Sequence, residues 1–319
     1  MYYDDMSLSF SGSFPFRADG HCDTLTAMKD GRNRHIDPET LARYMDLQFM
    51  ALFVEEDDAV KAAAVLDELY LYYRTLLTEE YGDLWIPLKN GDSFARLDRD
   101  NIGVILALEN CSALAVAEDE VYDAYDKGFR SFGIVWNGRN NFGAGALSEG
   151  GLTAAGERLL RTLNRLPAAV DLAHMNERTF FDALDVLEYP PIVTHAGCGL
   201  VHPHVRNLTE DQMKELRQAG GIMGITFVSQ FLGPDPANVG FDDIIDHVLY
   251  ASDYVGIDHI AFGSDFDGAD LPDEMTDVSR MAALYRRMRE RDFSEAEVRM
   301  IAGENLLGYM KATLSREET

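Results

Sequence analysis

Short apolar, β-branched runs recur along the 319 residues, each followed by a longer segment with helical periodicity. Such alternation restricts a chain to parallel strands joined by crossover helices, because consecutive parallel strands need a connection long enough to return to the same edge. Strands are expected near residues 17–22, 46–54, 102–109, 131–136, 168–173, 191–195, 221–228 and 259–264. Amphipathic stretches over 57–79, 113–127, 152–165, 177–188, 209–219 and 241–252 are long enough for the crossover helices. Thr209-Glu210-Asp211-Gln212 reads as a capping box opening one of them. Eight strand–helix units point to an α/β chain of the (β/α)8 TIM-barrel type, with a doubly wound sheet as the alternative that shares the alternation. The expected organisation is one barrel domain over 1–319, with a short N-terminal extension over 1–16 and a C-terminal helical segment near 293–315.

Charge narrows the function. Asp and Glu number 55 against 28 Lys and Arg, a formal charge of −27. Such a surface repels phosphate backbones and anionic membranes, so neither nucleic acid nor a membrane is an expected partner. The opening MYYDDMSLSF lacks the basic start and apolar run of a signal peptide. No apolar stretch approaches the ~20 residues of a membrane span. Three cysteines, an odd number, do not form a disulfide framework, and the cytoplasm is the expected compartment.

In a barrel of this type the site lies at the C-terminal ends of the strands, and the chemically unusual residues fall there. In ADGHCDTL, alternation along a strand lets His21 and Asp23 face one way while Cys22 faces the packing between strand and helix. The run IGVILALEN is apolar until Glu109, an ionisable group that is costly at such a place without a cation or donors. AAVDLAH ends in His174 and PIVTH in His195, while HIAFGSDFDG carries Asp265 and Asp267 beside glycines that allow close backbone approach. Taken singly, each has an ordinary explanation: a hydrogen-bonded core histidine, a turn or helix-cap aspartate. Together, His21, Asp23, Glu109, His174, His195 and Asp265 suit one or two divalent ions of zinc type, with a bridging carboxylate and room for a bound hydroxide.

These motifs carry a resemblance. DGHCDT at the first strand, Glu109 ending the third, DLAH followed 21 residues later by THAG, then HPHVRNLT, and GSDFDG at the eighth together resemble the membrane dipeptidase (renal dipeptidase) family of zinc peptidases, peptidase family M19. The likeness to these amidohydrolase-like metal-dependent hydrolases runs from about residue 18 to about 310. It implies that His21 and Asp23 hold one Zn2+ ion, His174 and His195 a second, and that Glu109 bridges the two. It further implies that a hydroxide shared by the ions attacks the peptide carbonyl while Asp265 acts as general base and passes the proton to the leaving amine. Arg206, eleven residues after His195, matches the arginine that grips the substrate's terminal carboxylate. The implied activity is hydrolysis of L–L dipeptides, with L–D dipeptides also admitted, and by analogy the chain would assemble as a homodimer.

One position departs from the family. Its familiar mammalian members carry a histidine at the end of the fourth strand, and counting 27 residues on from Glu109 places Trp136 there, within GIVWNGRNN. An indole N–H donates one hydrogen bond but carries no charge, so oxyanion stabilisation would pass to zinc, to Trp136, or to Asn137, Arg139 or Asn140. Two other readings stay open: a hydrolase of another amide or ester, such as N-acyl amino acids, and a metal-binding homologue impaired in catalysis. His202 and His204 are expected on a loop near Arg206, Gln48 and Phe49 in barrel packing, and all three cysteines as small buried thiols.

Overall fold

The computed structural model describes residues 15–55, 58–114 and 118–318. The strands, in chain order, are β1 (Ala18–Asp19), β2 (Leu47–Phe53), β3 (Trp85–Pro87), β4 (Ile102–Glu109), β5 (Phe129–Gly133), β6 (Ala169–Asp171), β7 (Ile192–Ala196), β8 (Ile222–Ile225) and β9 (Ile260–Phe262). All their pairings are parallel, and β1-β2-β4-β5-β6-β7-β8-β9 follow one another round a nearly closed barrel. The (β/α)8 TIM barrel expected from the alternation is the fold, and the doubly wound sheet is excluded. β3 lies off this path, paired to the outer end of β4. Its three residues end in Pro87, too short a run to show a strand period in the sequence.

Why these segments are strands follows from what each face meets. β4 is buried along its whole length, as a strand covered on both sides must be. On β2, Leu47 and Phe49 point into the barrel with Ile105, Ala169, Ile192, Ile222 and Ala261, while Met50 and Leu52 face the outer helices. The helix Ala59–Glu79 buries Ala62, Leu66, Leu69, Tyr73 and Leu76, one stripe at helical spacing. The capping box at Thr209 forms, with Gln212 N donating to Thr209 Oγ1 at 3.3 Å and Thr209 N to Gln212 Oε1 at 2.9 Å.

At the C-terminal end, helical segments run over Glu295–Arg299, Met300–Glu304 and Asn305–Leu314. Leu306, Met310 and Leu314 pack against the interior core at the N-terminal ends of the strands. The extension expected over 1–16 lies, up to residue 14, outside the described residues. So do residue 57 of the expected helix 57–79 and residues 115–117 of that over 113–127.

The barrel closes between β9 and β1 through backbone bonds, Gly20 N to Phe262 O at 2.8 Å and Asp23 N to Phe266 O at 2.9 Å. A buried carboxylate fastens the same seam. Asp19 accepts from Ser264 N and Ser264 Oγ, both at 2.7 Å, and from Gln48 Nε2 at 2.6 Å. Burial pushes Asp19 up to about 6 against the pull of those bonds. Folded Asp19 therefore holds its proton more tightly than it does in the unfolded chain. Its contribution to stability is full below pH ~4 and is lost as the pH rises through about 6, a change of about 3 kcal/mol. Denaturant titrations across that window should show wild-type stability falling, and Asp19→Asn, which has no proton to release, should lack that part of the fall. Equal slopes in the two proteins would contradict this account of the seam.

Candidate metal centre

The candidate side chains arrive at or just past the C-terminal ends of five of the barrel strands. His21 and Asp23 follow β1 on one face, and Cys22 between them is fully buried in the packing against the helices. Glu109 ends β4, His174 lies three residues past β6, His195 sits inside β7, and Asp265 lies three residues past β9. Several of these strands are shorter at their C-terminal ends than the sequence reading expected, because the chain there leaves extended geometry to aim side chains inward. His174 and Asp265 have φ of 67° and 65°, and Asn110, just after Glu109, has φ of 73°. Left-handed backbone at non-glycine residues costs on the order of 1 kcal/mol each and gathers where surrounding structure and function require it. Gly268 answers a related demand: a Cβ there would lie 2.1 Å from Asp23 Oδ2 and 2.3 Å from Asp265 Oδ1.

The two oxygens of Glu109 face opposite sides of the centre. Oε1 lies 2.9 Å from His174 Nε2, and Oε2 lies 3.4 Å from His21 Nε2. His21 Nε2 is also 3.7 Å from Asp23 Oδ2 and 3.9 Å from Asp265 Oδ1. His174 Nε2 is 2.9 Å from His195 Nε2. On its other side, His174 Nδ1 meets Asn137 Oδ1 at 3.0 Å. An amide oxygen only accepts, so Nδ1 carries the ring proton and Nε2 presents a lone pair to a carboxylate. Among the described residues, His21 Nε2, Asp23 Oδ1 and Glu109 Oε2 are buried without any hydrogen-bond partner. Crowded acceptors and orphaned polar atoms of this kind fit divalent cations. The ligand atoms of His21, Glu109 and His195 lie within 4.8 Å of one another, as do those of His21, Asp23 and Asp265.

Burial sorts the titrating groups. It lowers His174 to about 3, helped by the charge of Arg206, and holds His195 well below the ordinary imidazole range, so both rings are neutral as metal ligands must be. His21 goes the other way: burial opposes its charge, but Glu109 and Asp23 hold it well above that range, so its proton supplies the positive charge that a bound cation would replace. Glu109 itself stays below the usual carboxylate range, because the charge and proton of His21 outweigh its burial. Asp265 is pushed by burial up to about 7.

In front of these groups lies a cavity of about 400 Å³, whose walls include Phe53, Trp136, Asn137, Arg206, Gln230 and Phe231. Arg206 is 5% exposed, donates from Nη2 to His195 O at 3.3 Å, and keeps a buried Nε with no partner among the described residues. Trp136 is half-buried, its ring 5.0 Å from Phe53 and 5.9 Å from His174. Of its neighbours, Asn140 spends its amide protons on Asn110 Oδ1 and Ile134 O, both at 2.8 Å, and the exposed Arg139 donates to Glu149 O. Neither lines the cavity, whereas Asn137 does. His204 stacks on Phe231 at 4.4 Å and accepts from Arg206 N at 3.2 Å, bracing the arm that carries Arg206; neither it nor His202 lines the cavity. Asp267 serves the turn: it accepts from Thr24 Oγ1, Arg34 N and His35 N at 2.8, 2.7 and 2.8 Å. Phe53 and Phe231 were not anticipated as cavity residues. Each sits in an apolar run where nothing local separates a wall from a core, and only the three-dimensional path brings them together.

The sequence model of the membrane dipeptidase family, peptidase family M19, matches residues 15–318. The chain belongs to that family. An uncharacterized protein from the pqqA 5′ region of Klebsiella pneumoniae is 34% identical, over 75% of this chain and 92% of its own length. An uncharacterized dipeptidase of Schizosaccharomyces pombe is 31% identical, over 67% of this chain and 54% of its own. The crystal structure of the metallopeptidase dipeptidase AC has a TM-score of 0.89 at 26% identity, covering 95% of this chain and 100% of the other. A metallopeptidase from Rhodobacter sphaeroides, liganded with a phosphinate mimic of the dipeptide L-Ala-D-Ala, has a TM-score of 0.86 at 25% identity, covering 94% and 100%. Membership in the membrane dipeptidase family and these neighbours support a metal-dependent dipeptidase. Despite the family's name, no helix among the described residues is long and apolar enough to cross a membrane.

If the centre takes cations, zinc added to chelator-treated protein should raise the thermal unfolding midpoint, since a ligand at 100 times its Kd stabilises by about 2.7 kcal/mol. Glu109→Gln should lose most of that gain. A wild-type midpoint that zinc leaves unchanged would contradict the assignment.

Proposed function

We propose that this membrane dipeptidase family member hydrolyses dipeptides at a centre of two zinc ions. His21 and Asp23 would hold one ion, His174 and His195 the other, and Glu109 would bridge them. The observation that carries this reading is the crowding of ligand atoms on both sides of Glu109, with His21 Nε2, Asp23 Oδ1 and Glu109 Oε2 buried and unpartnered on one side and His174 Nε2 and His195 Nε2 close to Oε1 on the other. Zinc held there would polarise the scissile carbonyl and lower the pKa of a water at the centre.

The chain's own groups supply the rest. Asp265 stands on the Asp23 side of the centre, where its carboxylate could take a proton from water and give it to the leaving amine. Arg206, lowered by burial to about 10, stays charged at neutral pH, and its free Nε suits the substrate's terminal carboxylate. A cavity of about 400 Å³ bounded by that guanidinium favours a substrate of dipeptide length. Trp136 and Asn137 line the same cavity, and their indole N–H and amide are uncharged donors that could serve the reacting carbonyl oxygen. The Rhodobacter sphaeroides protein's L-Ala-D-Ala mimic supports including L–D dipeptides with L–L ones among the substrates.

The test is a panel of L–L and L–D dipeptides, N-acyl amino acids and dipeptide amides, assayed with zinc-loaded protein. Dipeptides should turn over, and Asp265→Asn should lower kcat by about 10²–10⁴. Turnover of N-acyl amino acids alone, or dipeptide turnover untouched by Asp265→Asn, would overturn the reading. Arg206→Met should lower kcat/KM for dipeptides by about 30-fold or more, the cost of removing one partner from a buried charged pair. It should leave any residual turnover of dipeptide amides unchanged, and equal losses on both substrates would remove Arg206 from carboxylate binding.

A further inference from the structure

Asp171 ends β6 and Thr194 precedes His195 in β7; both are buried, and neither lines the cavity. Asp171 Oδ1 accepts from Ala173 N at 3.0 Å and Thr194 N at 2.9 Å, and Oδ2 accepts from Thr194 Oγ1 at 2.6 Å. Burial raises Asp171 on balance, while the three donated bonds, which use both of its oxygens as acceptors, oppose that rise and favour the carboxylate. Thr194 Oγ1 also lies 2.9 Å from His195 Nδ1. A hydroxyl has one proton, and here it is committed to the carboxylate. Toward His195 the hydroxyl can therefore only accept, so Nδ1 must carry the imidazole proton. A neutral imidazole has no second proton, which leaves Nε2 as a bare lone pair directed at the centre, 2.9 Å from His174 Nε2. Thr194 has little freedom to break the arrangement. A Cβ at Gly224 or Gly263 would fall 1.9 or 1.7 Å from Thr194 O, so the neighbouring strands press directly on its backbone.

We infer that Asp171 and Thr194 are positioning residues that fix the tautomer of His195 through the sequence carboxylate, hydroxyl, imidazole, and so make Nε2 its metal-binding atom. The inference rests on the proposed metal centre for its purpose, but the tautomer itself is a property of the chain. Asp171 also ties β6 to β7, a purely structural duty, and one substitution separates the two roles. In Asp171→Asn, the amide oxygen keeps both backbone bonds while the amide nitrogen donates to Thr194 Oγ1. The hydroxyl proton then has to turn toward His195 Nδ1, which drives the ring proton onto Nε2.

The experiment is two-bond 15N–1H NMR of the histidines in labelled, metal-free protein, followed by zinc affinity from competition with a chelator. Wild type and Thr194→Ser should show His195 protonated on Nδ1. Asp171→Asn should show it protonated on Nε2, with zinc affinity lower by about 10–100-fold. Thr194→Val, which leaves the carboxylate and strand pairing in place, should lose the fixed tautomer with a similar fall in affinity. An Nε2–H tautomer in the wild type, or an unchanged Nδ1–H tautomer in folded Asp171→Asn or Thr194→Val, would overturn the inference. Because the tautomer is read without metal or substrate, a dipeptide assay that failed would leave this result standing.

Discussion

Glu109 is a carboxylate at the end of a strand buried on both faces, and the arrangement of the barrel mouth answers the cost of placing it there. An isolated ion in such surroundings costs far more than a fold's net stability, so it must be compensated by opposite charge and directed donors. The nearest groups are His21 and His174, one on each carboxylate oxygen. Asp23 and Asp265 add carboxylates to the same small volume, which Arg206 alone does not balance. A cluster this acidic and this buried is stable in proportion to the positive charge it can gather. That is the physical reason for reading it as a cation site.

The fold meets that demand by spending local strain in a few places. His174, Asp265 and Asn110 take left-handed backbone where ordinary strands would simply continue, and Gly268 gives up its side chain so that two carboxylates can lie against the loop. The rigidity that holds these positions comes from beneath. Asp19 fastens the closing seam to Ser264, the residue before Asp265, and the helix Asn305–Leu314 fills the opposite end of the barrel. Stability is thus concentrated below the site and strain at its rim, as expected where one end of a barrel is given to chemistry.

Much of this was legible in the sequence, for identifiable reasons. Strands buried on both faces appear as apolar runs, so all eight barrel strands were visible, and a polar residue that ends such a run is conspicuous, as with Glu109, His174 and His195. β3 escaped because three residues ending in proline carry no period. Strand ends were overextended because departure from extended geometry at His174 and Asp265 is imposed by the site and not by local preference. Arg206 had no local signal and rested on resemblance alone. Asp171 and Thr194 were invisible for a different reason: their importance lies in hydrogen bonds between strands, and nothing about either residue marks it until His195 is seen beside Thr194. Asn137 was expected to meet substrate, yet its amide oxygen is turned to His174 while the side chain still borders the cavity.

The account stands or falls on cations bridged by Glu109. Crystals of zinc-loaded protein, measured on both sides of the zinc absorption edge, test this directly. The account predicts two anomalous peaks per chain, one among His21, Asp23 and Glu109 Oε2 and the other among His174, His195 and Glu109 Oε1. A single peak, or peaks with no contact to Glu109, would contradict it.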